Sequence, residues 1–366
     1  MRKILQKLLR KPIAWMAMKL SSSPRKKDVF ASLDQLLQNI QDEKTGFLRP
    51  VPFDINTGKI IILSDQHKGG KDFADDFRYT EGNYMAALQY YFDQGFTFIN
   101  LGDCEELWEN TPSVAVEKNR LTLLQEAQFL VKNRYYRIYG NHDLEWKYSF
   151  PEMLYLRPIF GEQLAVYEGL VLKTTYNKKD YSLFLAHGHQ GDRRSDGNAF
   201  SMWFVAAIWT PIQRYLEISV DTISDFFELV DKHNIMMYDW SATHKNMIFI
   251  SGHTHKPVFA SLDHIDRLAK QLEQAKAANE TERIPLLQAE LSRRKKEYEG
   301  KKLLKTMAKP SYFNTGCCCF ADGDLTGIEI DNGFIRLVKW KVDGKSGVRM
   351  VLEESPLFYL FDLLGE

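Results

Sequence analysis

An excess of either charge, a supply of cysteine and a long apolar run are all missing from this chain, and each shortage removes a class of protein. Lysine plus arginine and aspartate plus glutamate stand at 48 each over 366 residues. Nucleic-acid binders ordinarily carry a basic excess, because phosphate contacts dominate their affinity, so the balance argues against that class. Only four cysteines occur: Cys104, Cys317, Cys318 and Cys319. Three are consecutive, a poor geometry for disulfides among themselves and not the spacing of a zinc site. Buried strand thiols in a reducing compartment are the favoured reading, and a metal site at the triplet is the alternative. The longest apolar stretch, "AFSMWFVAAIW" (199–209), meets Thr210-Pro211 well short of the ~18–20 residues a membrane span requires.

The charge balance conceals an asymmetry. Residues 1–27 hold nine Lys/Arg and no acid, which leaves 39 bases against 48 acids, a formal −9, on the other 339 residues. Lys19 interrupts the apolar stretch of the N-terminus, and no small-residue cleavage site follows cleanly, so a signal peptide is a poor fit. A basic amphipathic segment lying on an anionic membrane surface is the favoured reading, and a basic tail packed on the acidic body is the alternative. The hydrophobic content of 44% suffices for a large core.

Five short β-rich apolar runs each lead into a polar tip. "KIIILS" (59–64) precedes DQH, "FTFINL" (96–101) precedes GDCEE, and "RYYRIY" (134–139) precedes GNHD. "YSLFLA" (181–186) precedes HGHQGD, and "MIFIS" (247–251) precedes GHTH. Such runs suit buried strands, and helical spacing at 79–94 and 113–133 between the first three argues for an α/β fold. In open α/β sheets, ligands bind beyond the carboxyl ends of the strands, where all five tips fall. "QLAVYEGLVLKTTY" (163–176) reads as paired strands, and the strand-like stretch after Lys309, with a hairpin at Asn332-Gly333, predicts a second, partly antiparallel sheet.

The tips supply carboxylate, imidazole and amide oxygen, the donors of divalent transition metals. Asp65/His67 and His253/His255 are i,i+2 pairs, which in extended backbone point to the same side. A lone histidine is more often structural. Two such pairs with Asp103 and Asn141, each just past an apolar strand, point to a metal site.

These five ordered blocks resemble the calcineurin-like metallophosphoesterase superfamily over residues 58–260 and 311–340. The resemblance implies a four-layer α/β/β/α sandwich holding two divalent metal ions, with Mn2+ the first expectation and Fe, Zn or Mg the alternatives. It implies that Asp65, His67, Asp103 and His255 hold one ion and that Asp103, Asn141, His187 and His253 hold the other. His142 is then the group that protonates the leaving oxygen or stabilises charge on it. Glu106 matches the acid that orients this histidine in relatives. Asp143 is the rival orienter, and its plainer reading is a turn residue satisfying backbone donors.

Within the superfamily, "GDCEELW" and "HGHQGD" are similar to blocks of UDP-2,3-diacylglucosamine pyrophosphatases, which insert a helical cap between the fourth and fifth blocks. The sequence departs from them in having His142 where arginine is typical, and in reading H-G-H-Q-G-D in the fourth block. The expected organisation is a basic amphipathic segment at 1–50, a metallophosphoesterase domain at 51–346 and a C-terminal tail at 347–366. The domain carries a helical cap at 195–246 and a charged helical hairpin at 262–308 that turns near 282–285.

The expected activity is hydrolysis of a phosphate ester or pyrophosphate on a lipid-linked or amphipathic substrate, in the cytoplasm at the inner face of the membrane. The large apolar cap residues Phe200, Trp203, Phe204, Ile208 and Trp209 suit such a substrate or, equally, ordinary core packing. A soluble phosphatase or phosphodiesterase acting on nucleotides or phosphoproteins is the alternative, and a non-catalytic scaffold a minor one. His189, Arg193 and Arg194 are the candidate substrate contacts, and Lys256 flanks the last block. Rim charges of this kind are as often merely solvated. The hairpin reads as a solvated insertion or as a site for a protein partner.

Overall fold

The computed structural model describes residues 24–192, 227–261, 269, 272–273, 275–281, 283–297, 309–343 and 346–365. In chain order the main elements are helix α1 (Lys26–Gln41), strands β1 (Val51–Pro52) and β2 (Ile60–Leu63), and helix α2 (Phe77–Asp93). Strand β3 (Thr97–Leu101), helices α3 (Pro112–Lys118) and α4 (Arg120–Val131), and strand β4 (Tyr135–Ile138) follow. An irregular helical run occupies 144–160. Strands β5 (Val166–Tyr167), β6 (Gly169–Tyr176) and β7 (Lys179–Ala186) precede α5 (Phe227–Ala242) and β8 (Met247–Ser251). The last elements are α6 (Arg283–Glu297), β9 (Tyr312–Asn314), β10 (Leu325–Asp331), β11 (Phe334–Asp343), β12 (Ser346–Pro356) and α7 (Leu357–Leu364).

The strands form a seven-stranded sheet, β12-β11-β10-β2-β3-β4-β5, and a five-stranded sheet, β1-β6-β7-β8-β9. Period-two alternation stacks them. On β2, Ile60 and Ile62 face Leu183, Leu185, Ile248 and Ile250 in a core between the sheets. Their neighbours Ile61 and Leu63 face outward onto Tyr84, Leu88 and Leu123 of α2 and α4. On the other sheet, Val171, Phe184 and Phe249 face outward onto Val29, Leu33 and Leu36 of α1 and Trp240 of α5. The result is a four-layer α/β/β/α sandwich, the architecture that the resemblance implies. Burying each of these large apolar side chains contributes about 1.5–3 kcal/mol.

Several boundaries differ from the sequence reading. Residues 26–41, assigned to the N-terminal segment, form α1 and cover the five-stranded sheet through Val29, Leu33, Leu36, Leu37 and Ile40. Residues 347–366, read as a tail, supply an edge strand and α7, whose Leu357, Leu360, Phe361 and Leu364 enter the core between the sheets. Strands β5 and β6 do not pair with each other: β5 joins β4 and β6 joins β7. After Lys309 only β9 joins the five-stranded sheet, while β10 to β12 extend the seven-stranded sheet, β10 antiparallel to β2 and each later strand antiparallel to the one before it. The 113–133 helix is interrupted at Asn119.

In the charged insertion, α6 packs Leu287 and Leu291 against Leu272 and Ala275, with the turn at 278–281. Of the cap, α5 is described, and its His233 and Asn234 are buried. Arg193, Arg194 and the five large apolar cap residues named above lie outside the described residues, as do the first 23 residues. No helix among the described residues is long and apolar enough to cross a membrane.

Candidate metal centre

Strands β2, β3 and β4 run parallel, as do β7 and β8, so their carboxyl ends bring the tips together where the two sheets meet. Backbone bonds lace the tips: Asp65 N–H donates to Gly102 O, His67 N–H to Asp103 O and Gly252 N–H to His187 O. The convergence is not produced by extended backbone. Asp65, His67, Asp103, His253 and His255 all have φ between 50° and 70°. That left-handed region is costly for non-glycine residues and clusters at functional sites. The same-side rule for i,i+2 pairs therefore does not describe these loops. The glycines of the blocks have a plain cause: a Cβ at Gly140 would overlap the Asp103 carboxylate, and one at Gly252 would overlap Ser64 and Asp65.

Three overlapping groups of potential ligand atoms result, each within 4.8 Å of one another: Asp65/His67/His255, Asp103/His187/His253, and His67/Asp103/His142. Asp103 is central, with Oδ2 3.6 Å from His67 Nε2 and 3.1 Å from His187 Nε2. His255 Nε2 lies 3.3 Å from Asp65 Oδ1.

The donor set fits cations. His67 Nε2 and His255 Nε2 face each other at 3.2 Å, so a proton or a cation must stand between their lone pairs. The orienting bonds are all made on the far sides of the rings: His67 Nδ1 donates to Glu106 Oε2 at 2.9 Å and His187 Nδ1 to Leu101 O at 2.9 Å. This fixes the tautomer that leaves Nε2 for a metal. Buried His253 Nδ1 and Asn141 Oδ1 have no hydrogen-bond partner, and His187 Nε2 makes no well-directed bond. Burial opposes charge on His187, yet Asp103 and Asp65 hold its pKa up at about 9. Burial likewise opposes charge on His255, and neighbours including Cys317 and Asp65 raise it to about 10. A cluster of this kind demands positive charge, and a bound cation would meet that demand by displacing protons.

His142 sits beside this cluster. Its N–H donates to Asp103 Oδ1 at 2.8 Å, its Nδ1 lies 2.9 Å from Glu106 Oε1, and its ring stacks on Trp108 at 4.1 Å. Burial opposes its charge, but Glu106 and then Asp103 raise its pKa to about 9. Glu106, against burial, is pulled down to about 2 by His142 and His67. Asp143 accepts the backbone N–H groups of Gly140 (2.6 Å) and Cys104 (2.8 Å), the turn role. His189 is buried within 5.5 Å of His187 and 6.2 Å of Tyr139, ring to ring, and Gly188 between the two histidines has φ 113°. Burial and His187 push its pKa down to about 3. Lys256 is half-buried next to His255.

Three features were missed in the sequence. Trp108 backs His142 and also donates from Nε1 to Asn141 O at 2.7 Å. A fully buried network lies beneath the GDCEE block: Lys68 Nζ is 2.8 Å from Glu126 Oε1 and 3.5 Å from Glu105 Oε1, and Arg137 pairs with both glutamates. Tyr84 and Tyr135 each donate to Glu126 at 3.0 Å. From α5, His233 Nε2 donates to Gly188 O at 2.8 Å, and Asn234 Oδ1 accepts from Thr254 and Tyr312, tying this helix to the loops of the candidate centre.

No family model matches the chain, and no curated protein matches it. Among solved structures, vacuolar protein sorting 29 from Cryptosporidium parvum is similar at 12% identity with a TM-score of 0.33, covering 82% of this chain and 99% of that one. A single mutant of Vps29 from Entamoeba histolytica is similar at 12% identity with a TM-score of 0.27, covering 81% of this chain and 99% of that one.

Proposed function

We propose that the chain is a binuclear metal-dependent phosphoesterase. The observation that carries this is the group Asp103, His187 and His253, all buried, with the partnerless Nδ1 of His253 and Oδ1 of Asn141 beside it. Asp65, His67, Asp103 and His255 would hold one ion, and Asp103, Asn141, His187 and His253 the other. Two such ions would clamp phosphoryl oxygens, lower the pKa of a water and offset developing charge.

The chain's own residues supply the remainder. Glu106 fixes His142 through Nδ1, which leaves Nε2 to donate a proton to the departing oxygen. Trp108 stacking holds the ring plane, and the neighbouring carboxylates keep the imidazole charged and able to donate. The wild-type chain should hydrolyse an aryl phosphate ester with Mn2+, Zn2+, Fe2+ or Mg2+. His142→Ala should lose ~10²–10⁴-fold in rate while retaining its ions. No hydrolysis with any of the four ions would overturn the reading.

We favour an amphipathic or lipid-linked substrate, in line with the resemblance of the GDCEELW and HGHQGD blocks to those of UDP-2,3-diacylglucosamine pyrophosphatases. Support comes from Tyr148, Phe150, Met153 and Leu154, large apolar side chains exposed on the run that follows the His142 loop. Detergent-dispersed phospholipid phosphoesters should then outcompete nucleotides. The reverse preference would favour a phosphatase of soluble substrates.

A further inference from the structure

One cluster of potential ligands brings in two thiols that the binuclear reading does not use. His255, Cys317 and Cys319 place one imidazole nitrogen and two sulfurs within 4.8 Å of one another. The nitrogen facing the sulfurs is Nδ1, 3.9 Å from Cys319 Sγ, while Nε2 of the same ring faces Asp65 and His67. The thiols are held there by the fold. Cys318 N–H donates to Asp65 O at 3.1 Å and Thr326 N–H donates to Cys317 O at 3.0 Å. Cys318 turns the opposite way, its Sγ 3.9 Å from Thr326 O in the core under α2. None of the four cysteines is in a disulfide, and Cys319 is only part-buried, which gives an approach from solvent.

We propose that His255 Nδ1, Cys317 Sγ and Cys319 Sγ form a third metal site, selective for a thiophilic d10 cation of the Zn2+ or Cd2+ class. Soft thiolates select such ions over Mn2+ or Mg2+, and two thiolates with one imidazole neutralise a divalent charge, leaving a fourth position for water. Binding releases the two thiol protons and the Nδ1 proton of the charged His255 ring to solvent. The spacing Cys-x-Cys is unlike that of a zinc ribbon because the third donor comes from a different loop, 62 residues before Cys317.

Sharing His255 couples this site to the centre next to it. A neutral imidazole has one lone pair, so a cation on Nδ1 puts the ring proton on Nε2 and withdraws a donor from the cradle of Asp65 and His67. Occupancy by a thiophilic ion should therefore antagonise the neighbouring ion. This second clause rests on the binuclear reading, while the site itself does not.

The test is a titration of the full-length chain, stripped of metal by a chelator, with Cd2+ or Co2+, followed by thiolate-to-metal charge-transfer absorption in the ultraviolet. The wild type should show a sulfur band that saturates at one equivalent. Cys319→Ser, at a part-buried position and checked for native circular dichroism, should lose most of it, and Cys317→Ser/Cys319→Ser all of it. A missing band in the wild type, or an unchanged one in the double variant, overturns the proposal. Mn2+ content measured after Cd2+ addition should fall from two to one per chain in the wild type and stay at two in Cys319→Ser. Equal loss in both would overturn the coupling. A sulfur band in a chain that takes up no Mn2+ at all would uphold the third site and count against the binuclear centre.

Discussion

Replacing Glu106 with glutamine keeps the side chain's volume and removes the one carboxylate that His67 Nδ1 and His142 Nδ1 share, at 2.9 Å each. The His142 imidazole is raised from its ordinary 6.5 to about 9, Glu106 being the leading cause after burial, which opposes it. At about 1.36 kcal/mol per pKa unit, that shift corresponds to about 3 kcal/mol favouring the charged ring, of which Asp103 supplies a part. A raised pKa means that the proton-donating form is fully present at low pH and lost as pH rises through the folded-state value. If the variant's His142 falls by roughly two units below the wild type's, the two should differ about tenfold in kcat one pH unit below the wild-type inflection and hardly at all three units below it. The assay is aryl phosphate hydrolysis across pH at saturating metal, since loss of an orienting partner also weakens ion binding by about 10–100-fold. A rate ratio independent of pH would refute the argument, because it would mean that Glu106 does not hold the proton on His142.

His187→Ala should remove one equivalent of bound ion by elemental analysis, whereas His189→Ala should keep both and change turnover. Gly140→Ala forces a methyl into the Asp103 carboxylate and should lower ion content without unfolding the chain, as circular dichroism would show. Glu126→Gln leaves Lys68 and Arg137 with one buried carboxylate between them and should cost about 3–5 kcal/mol in urea unfolding. The Glu126 pKa is lowered by Lys68 and Arg137 against burial, so its contribution is present above the ordinary carboxylate range and lost as pH falls through the lowered value. The variant's stability should accordingly decline less toward acid than the wild type's.

The sandwich was legible in the sequence where a side chain's environment follows from its neighbours along the chain. The runs 59–64, 96–101, 134–139, 181–186 and 247–251 each coincide with a strand, because a strand buried on both faces is apolar at most positions, with buried Asn100 and Arg137 among the exceptions. Sheet membership was not legible. Val166–Tyr167 and Gly169–Tyr176 are separated by one residue and belong to different sheets, a choice made by pairing partners far along the chain. The polar tips were visible as a set. Their geometry was not, since nothing in "SDQH" or "GHTH" announces a left-handed φ at each ligand position. Glu126 reads as one more solvated charge on a helix and is in fact fully buried. The third donor to Cys317 and Cys319 was invisible for the same reason as the sheet partition: it arrives from another loop.

Asp65, Asp103 and Asn141 follow strands of the seven-stranded sheet, while His187, His253 and His255 follow strands of the five-stranded one. The proposed centre therefore straddles the seam along which the two halves of the sandwich would part. Ions seated there would act as rivets, joining two plates otherwise held by apolar contact. Linkage makes the strength of such a joint depend on supply, at about 2.7 kcal/mol when free ion exceeds its dissociation constant a hundredfold. The protein's resistance to unfolding would then report the metal status of its surroundings, and starvation for the ion would be felt first as a loosening along that seam.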